Sequence, residues 1–182
     1  NRMNKIIRKI QYSEKVYRFD VEAPLIAKSR KAGNFVIIRV DANSERMPLT
    51  IADADIEKGT ITLVVQKVGL SSTKLCNLNE GDEIHDVVGP LGNPTHIENF
   101  GTVLCAGGGV GVAPMLPIIK ALKAAGNRVL SVIAGRSKDL VIMEDEVRAS
   151  SDELFIMTDD GSYGEKGVVT VGTVSYTHLR AH

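Results

Sequence analysis

Apolar and polar positions alternate in short runs over the first hundred residues. KIIRKIQY (Lys5–Tyr12) and KVYRFDVE (Lys15–Glu22) flank a turn at Ser13-Glu14. Alternation over this length is the signature of a strand with one buried face. NFVIIRVD (Asn34–Asp41), MPLTIAD (Met47–Asp53), TITLVVQKV (Thr60–Val68) and DEIHDVVGP (Asp82–Pro90) read the same way, with turns at Glu57-Lys58-Gly59 and Glu80-Gly81. STKLCNL (Ser72–Leu78) reads as a short helix. Six short strands with Gly and Pro punctuation predict a six-stranded antiparallel β barrel.

The period changes near Asn99-Phe100-Gly101. GTVLCAGG predicts a buried strand over Thr102–Ala106, and VAPMLPIIKALKAAG a helix stopped by Gly126. NRVLSVIAG is a second buried strand, LVIMEDEVRASS a helix over Val141–Ala149, and ELFIMTDDG a third strand. Strand and helix in alternation predict βαβ units, hence an α/β doubly wound parallel sheet. The expected domains are 3–98 and 99–174. Doubly wound sheets usually have about five or six strands, so three predict an incomplete sheet with one bare edge strand. Met3 reads as the natural start. SYTHLRAH (Ser175–His182) has neither helical nor strand period, holds two of the four histidines, and reads as a non-native tail, with a natural disordered tail as the alternative.

Composition narrows the function. Lys+Arg and Asp+Glu are both 22, giving a net charge of +0, which disfavours non-specific nucleic-acid binding. Trp is absent and aromatics are 4%, too few for a base-stacking platform. No apolar run approaches the ~20 residues of a membrane span. The two cysteines, Cys76 and Cys105, cannot make a disulfide framework or a four-Cys metal site. A cytoplasmic protein with no metal in this chain is expected.

The candidate chemistry lies in LCAGGGVGVAPMLP. Gly107, Gly108, Gly109 and Gly111 stand between a buried strand and a helix, with Val110 among them and Pro114 in the first helical turn. Glycines let backbone N–H groups approach a pyrophosphate, and the helix N-terminus adds partial positive charge. The spacing is neither G-x-G-x-x-G nor a P-loop. A tight strand-to-helix turn without ligand is the bland alternative, but its place between strand and helix favours a nucleotide. Gly135-Arg136-Ser137 and Asp159-Asp160 follow the second and third strands, at the carboxyl edge where such sheets bind ligands.

A barrel followed by GGGVGVAP, GRS and TDDGSYG resembles the ferredoxin–NADP reductase superfamily. Within it, the chain resembles the electron-transfer subunit of dihydroorotate dehydrogenase and the small subunit of NADH-dependent ferredoxin–NADP oxidoreductase and sulfide dehydrogenase. The resemblance covers about residues 3 to 172. It implies an FAD-binding barrel and an NAD(P)H-binding rear domain. By resemblance, Arg46 pairs with FAD phosphate, Pro48 and Leu49 pack on the flavin, and Thr50 serves as the catalytic hydroxyl near flavin N5. Val68, Gly69, Ser71, Ser72 and Thr73 resemble the loop and helix start that take the FAD pyrophosphate; Ser71 or Ser72 also suits a helix N-cap. GPLGN (Gly89–Asn93) resembles the interdomain loop. Gly107, Gly108, Gly109, Val110, Gly111, Pro114, Gly135, Arg136, Asp159 and Asp160 are the implied NAD(P) contacts. The resemblance further implies a larger catalytic oxidoreductase subunit or ferredoxin as partner, without nucleic acid or membrane. A [2Fe–2S] cluster is expected only in a full-length protein, because no C-x₂₋₄-C occurs here. The expected activity is that of an FAD-dependent NAD(P)H oxidoreductase, impaired in so short a chain. A non-catalytic nucleotide-binding regulatory or scaffold module is the alternative.

Overall fold

The computed structural model describes residues 4–167 and the backbone of Ser175–Leu179. The expectations about Met3, the stretch 168–174 and the last three residues lie outside them. The chain divides into two compact units between Thr95 and His96.

The front unit contains β1 (Asn4–Gln11), β2 (Val16–Glu22), α1 (Pro24–Ser29), β3 (Phe35–Arg39), β4 (Met47–Thr50), β5 (Asp53–Asp55), β6 (Thr60–Gln66), α2 (Leu70–Cys76), β7 (Glu83–Ile84) and β8 (Asp86–Leu91). Its strands form two antiparallel sheets, ordered β5-β6-β2-β1-β7 and β4-β3-β8. Two expected strands are split. MPLTIAD bends at Ile51-Ala52, both buried, so β4 joins one sheet and β5 the other. DEIHDVVGP likewise divides at His85 into β7 and β8. Strands that change sheets in this way make the corners of orthogonally packed β structures. The six expected runs are therefore present, but distributed over two sheets. Inside lie Ile6, Phe19, Val21, Val36, Ile38, Ile61, Leu63 and Ile84, each fully buried; such burial is the main stabilising contribution.

Two helices differ from the pattern. α1 has Pro24 at its start, a favoured first helical residue, but its six residues are too few for a helical period to emerge. α2 begins two residues before the predicted Ser72, because Gly69 rather than a serine takes the cap position.

The rear unit contains β9 (Thr102–Gly108), α3 (Val112–Ala124), β10 (Arg128–Gly135), α4 (Glu144–Ser150), β11 (Glu153–Thr158), β12 (Glu165–Lys166) and β13 (Ser175–Leu179). The sheet order is β12-β11-β10-β9-β13. β9 to β12 are parallel, in register Leu104↔Leu130↔Glu153 across the three long strands. β13 runs antiparallel against β9, pairing Ser175 with Ala106 and Leu179 with Thr102. This corrects two expectations: residues 175–179 are a strand, and the β9 edge is paired rather than bare. An open edge offers unpaired N–H and C=O groups to any extended segment, and this outweighs the weak period of SYTHL. Asn127, 2% exposed, fastens the entrance to the unit. Its side chain donates to the Glu98 and Leu122 carbonyls at 2.8 and 2.9 Å and accepts from the Phe100 and Gly101 amides.

Candidate functional site: two strand-to-helix turns and a sheet face

In the front unit, pleat alternation decides what β4 can present. Arg46, Pro48 and Thr50 share the outer face. Met47 and Leu49 pack against the core, so Leu49, expected on the flavin, is turned the other way. Phe35 stands opposite Thr50 and Ile37 opposite Pro48 on β3, with Val88 opposite Ile37 on β8. These side chains form an apolar strip on the outer face of the three-stranded sheet, and Val88 is exposed. Arg46 closes one end through an exposed ion pair with Asp86 at 3.4 Å. Such a pair contributes at most about 1 kcal/mol, so the guanidinium is easily redirected to a stronger anion.

The loop ahead of Arg46 is built on Asp41, which accepts from the Asn43 amide at 2.9 Å and the Ser44 hydroxyl at 2.7 Å. The Ser44 hydrogen bond, with that from Asn43, holds the Asp41 carboxyl below its usual range. Lys74 of α2 reaches Asp41 at 3.5 Å, which ties the Arg46 loop to α2.

At the start of α2, Ser72 Oγ accepts from the Val68 and Gly69 amides at 3.0 and 2.9 Å and donates to the Gly69 carbonyl at 3.1 Å. Ser72 is thus the buried internal brace of the turn, not an N-cap or an open phosphate donor. Its hydroxyl is consumed because the third helical position faces back over the cap. Ser71 and Thr73 remain half-buried. Thr73, Lys15, Lys67, Val68, Gly69 and Glu14 line a surface hollow. Val68 and Leu70 flank Gly69 with 74% and 78% exposure, an uncommon pairing of bare apolar side chains with lysines.

In the rear unit, the glycine run divides between strand and turn. Gly107 and Gly108 belong to β9 and pair with Ile133 and Ala134. Only Gly109–Gly111 form the turn, as a single 3₁₀ turn leading into α3. Gly109 has φ +55°, a conformation that side chains disfavour. A Cβ on Gly107 would lie 3.1 Å from the Gly111 carbonyl oxygen and 3.2 Å from Met115 Sδ, so strand and helix approach closely there. Pro114 is the third residue of α3, where its missing N–H costs nothing.

The ends of β9, β10 and β11 lie side by side on one edge. Gly135 pairs with Thr158 in register, the Asp159 amide donates to the Gly135 carbonyl at 3.1 Å, and the Asp160 amide to the Arg136 carbonyl at 3.2 Å. The structure therefore brings the glycine turn, Arg136, Asp159 and Asp160 to a single edge. Arg136 is exposed. Asp160 is committed to its own loop, accepting from Ser162 at 2.9 and 2.6 Å, and these bonds lower its pKa. Asp159 differs, because its Oδ1 is buried without a hydrogen-bond partner. Buried carboxylate oxygens are rarely left unpaired. Sequence reasoning missed Phe35 and Ile37, whose alternation with Val36 and Ile38 was the available signal. It also passed over Tyr163, although TDDGSYG contains it, and missed Lys138 and Glu144, which no local pattern marks.

GPLGN is mostly strand rather than loop: Gly89, Pro90 and Leu91 end β8, and only Gly92 and Asn93 leave it. Cys76 and Cys105 are buried in different units, and burial pushes the Cys105 thiol up to about 11. They do not fit a thiolate cluster. Among the described residues no group of three His, Cys, Asp or Glu is arranged to hold a metal, and no helix is long and apolar enough to cross a membrane.

No protein-family model matches the chain. It is 49% identical over 168 residues to the "Dihydroorotate dehydrogenase B (NAD(+)), electron transfer subunit homolog" of Thermotoga maritima, covering 92% of this chain and 59% of that protein. It is 33% identical over 172 residues to the "Dihydroorotate dehydrogenase B (NAD(+)), electron transfer subunit" of Streptococcus pneumoniae TIGR4, covering 92% of this chain and 68% of the relative. The chain thus spans about three-fifths to two-thirds of the length of these relatives. Among solved structures, NADH-dependent reduced ferredoxin–NADP oxidoreductase superposes with a TM-score of 0.88 at 45% identity, over 93% of this chain and 61% of the other. Phthalate dioxygenase reductase, at TM-score 0.73 and 22% identity over 88% of this chain and 52% of its own, shares the fold of a β domain followed by an α/β domain with a parallel sheet. With 33% identity over 92% of this chain and 68% of that relative, and 49% to the Thermotoga protein, the chain belongs to the family of dihydroorotate dehydrogenase B electron-transfer subunits.

Proposed function

We propose that this chain is a flavin-dependent electron-transfer module, which passes electrons from a nicotinamide dinucleotide through FAD to a larger catalytic subunit. The names of its relatives make NADH the first donor to test. The observation that carries the reading is the carboxyl edge of the rear sheet. A glycine turn opens α3 there, beside a buried Asp159 oxygen that lacks a donor. Backbone amides and the α3 N-terminus suit a pyrophosphate, and Asp159 suits a hydroxyl or amide of the same ligand. Arg136 lies next to it as a cationic contact.

The front unit supports FAD by complementary chemistry. The two sheets are joined through β4-β5 at one pair of edges and β7-β8 at the other, which we infer closes them into one barrel. The strip of Pro48, Phe35, Ile37 and Val88 fits a flat apolar ring, and the Thr50 hydroxyl can hydrogen-bond at its edge. Arg46 suits a phosphate bidentately. Ser71, Thr73 and the backbone of Val68 and Gly69 suit the pyrophosphate, with Lys15 and Lys67 adding positive charge. FAD, when bound, accepts a hydride and releases electrons one at a time. The side chains need only position, orient and exclude water, and no side-chain acid or base is required. Cys76 and Cys105 are not iron–sulfur ligands in this reading.

The test is reconstitution of the purified chain with FAD. A yellow protein with flavin absorbance near ~450 nm, bleached by NADH without oxygen, is the expected result. A colourless protein that binds a nucleotide but no flavin would favour a regulatory or scaffold module. We propose that turnover with an artificial acceptor is slower for this chain than for a relative of greater length. Equal kcat and KM side by side would overturn that.

A further inference from the structure

The ligand edge of the rear sheet includes the loop that follows β11. Residues 158–164 fold back on themselves. Thr158, fully buried, donates through Oγ1 to the Tyr163 carbonyl at 2.7 Å and accepts from the Tyr163 amide at 3.2 Å. The phenol of Tyr163 leaves this loop and donates to the Glu144 carboxylate in the first turn of α4. Lys138, in the loop after β10, holds its Nζ 5.2 Å from the centroid of the Tyr163 ring. The Lys138 amide donates to Ser162 Oγ at 2.9 Å. Three separate segments, the loops after β10 and β11 and the start of α4, thus meet on one side chain. α4 begins from Met143 at φ +57°, a conformation uncommon for a side-chain-bearing residue.

We propose that Tyr163 and Glu144 form a latch that positions Asp159 for the nicotinamide dinucleotide, with Tyr163 a positioning residue that does not touch the ligand. This rests on the dinucleotide reading of the carboxyl edge. Asp159 follows Thr158 directly, and its amide is bonded to Gly135, so the loop that closes on Thr158 sets where its carboxylate stands. Glu144 has a second partner, Arg148, at 2.9 Å. That bond falls on the same oxygen, Oε1, that accepts the phenol, so Arg148 helps to orient the acceptor. The charged groups around the phenol are Glu144, Asp145, Arg148 and Lys138. The Glu144 carboxylate holds the phenol pKa above its usual value, and the phenol hydrogen bond holds the Glu144 carboxyl below its own.

The experiment uses the FAD-loaded chain, with NADH affinity read by titration and the limiting rate of flavin reduction by stopped flow. Tyr163→Phe is expected to weaken NADH binding roughly fivefold, within the usual range for coupling between sites, with the limiting rate and FAD content unchanged. Glu144→Ala should match it, and the double variant should be no worse than either single change. Glu144→Gln keeps an acceptor and should hold near-native affinity, and Arg148→Ala, which removes the other donor to that oxygen but leaves the phenol bond, should cost less than Glu144→Ala. Native affinity in Tyr163→Phe, additive effects in the double variant, or a loss in Glu144→Gln equal to that in Glu144→Ala would each overturn the latch. If the unaltered chain binds no NADH, the dinucleotide reading itself fails and the latch with it. If it binds and Tyr163→Phe binds equally well, only the latch fails.

Discussion

The β6–α2 and β9–α3 connections perform the same local task, ending a strand and opening a helix, with opposite materials. At β6–α2 the turn is held by a side chain: Ser72 Oγ gathers two backbone amides, and Gly69 lies at φ −158°, an extended conformation open to any residue. At β9–α3 no side chain caps the turn. It is held by close backbone approach, with Gly107 against Gly111 and Gly109 at φ +55°. The first turn leaves its outer surface to side chains, two lysines and two bare apolar groups. The second leaves its surface to backbone N–H groups. A hydroxyl-braced turn tolerates change at its glycine and not at its serine; a glycine-built turn is the reverse.

The comparison breaks first at Gly109. Gly109→Val puts a β-branched residue in the left-handed region, at a cost of about 2–3 kcal/mol. We expect the rear unit to unfold at correspondingly lower denaturant, NADH binding to be lost, and FAD content to stay full. Native stability together with native NADH affinity would mean that the turn does not depend on its glycine conformation.

At Ser72 the loss should fall on the other unit. Ser72→Ala leaves the Val68 and Gly69 amides without their acceptor in a half-buried turn, about 1–2 kcal/mol. FAD should be retained less well, with NADH affinity unaltered. Chemical denaturation followed through the flavin signal reads both, and a variant as stable and as yellow as the parent would remove Ser72 as the brace.

These two turns were unequally legible in sequence. The glycine run was legible as a strand-to-helix turn from its place between an apolar run and a helical period, but where strand gave way to turn was not. Gly107 and Gly108 pair in the sheet because β10 offers Ile133 and Ala134 opposite them, a tertiary fact. Residue type marks both serines as pyrophosphate contacts or caps alike. Which one braces the turn depends on Gly69 taking the cap, and type cannot settle that. The corners at Ile51-Ala52 and His85 escaped for a similar reason: alternation describes a strand, not which sheet it pairs with, although two adjacent buried residues at 51 and 52 do break the period. The β13 pairing was invisible, since an edge accepts a strand on backbone geometry with little demand on side chains.

The outer face of β4 sharpens the comparison by testing chemistry apart from stability. Thr50→Val keeps shape and removes only the hydroxyl, so FAD content and unfolding should stay near native. If the hydroxyl stands at the reacting edge of the flavin, the rate of reduction by NADH should fall about tenfold, or ~1.4 kcal/mol of barrier. An unchanged stopped-flow rate would leave Thr50 as a strand residue opposite Phe35 and no more.

The smallest effect on stability is expected at Gly69, and there the two turns are told apart most finely. Alanine is a poorer N-cap than glycine, by several tenths of a kcal/mol. It also removes about 0.4–1 kcal/mol of unfolded-chain entropy where the native backbone is unstrained. At φ −158° the backbone is unstrained, and a Cβ there meets nothing within 4 Å. The two contributions oppose one another, so Gly69→Ala should leave the unfolding midpoint of the front unit within about 0.5 kcal/mol of native. The space that the methyl enters is also where a phosphate would approach the Val68-Gly69 backbone if this turn holds FAD. Weaker FAD binding at unchanged stability would therefore mean that the glycine clears room for the ligand, the part that Gly107 plays for strand and helix at the other turn. Native FAD affinity in Gly69→Ala would place the phosphate elsewhere and leave Ser71, Thr73 and the lysines of the neighbouring hollow to account for the site.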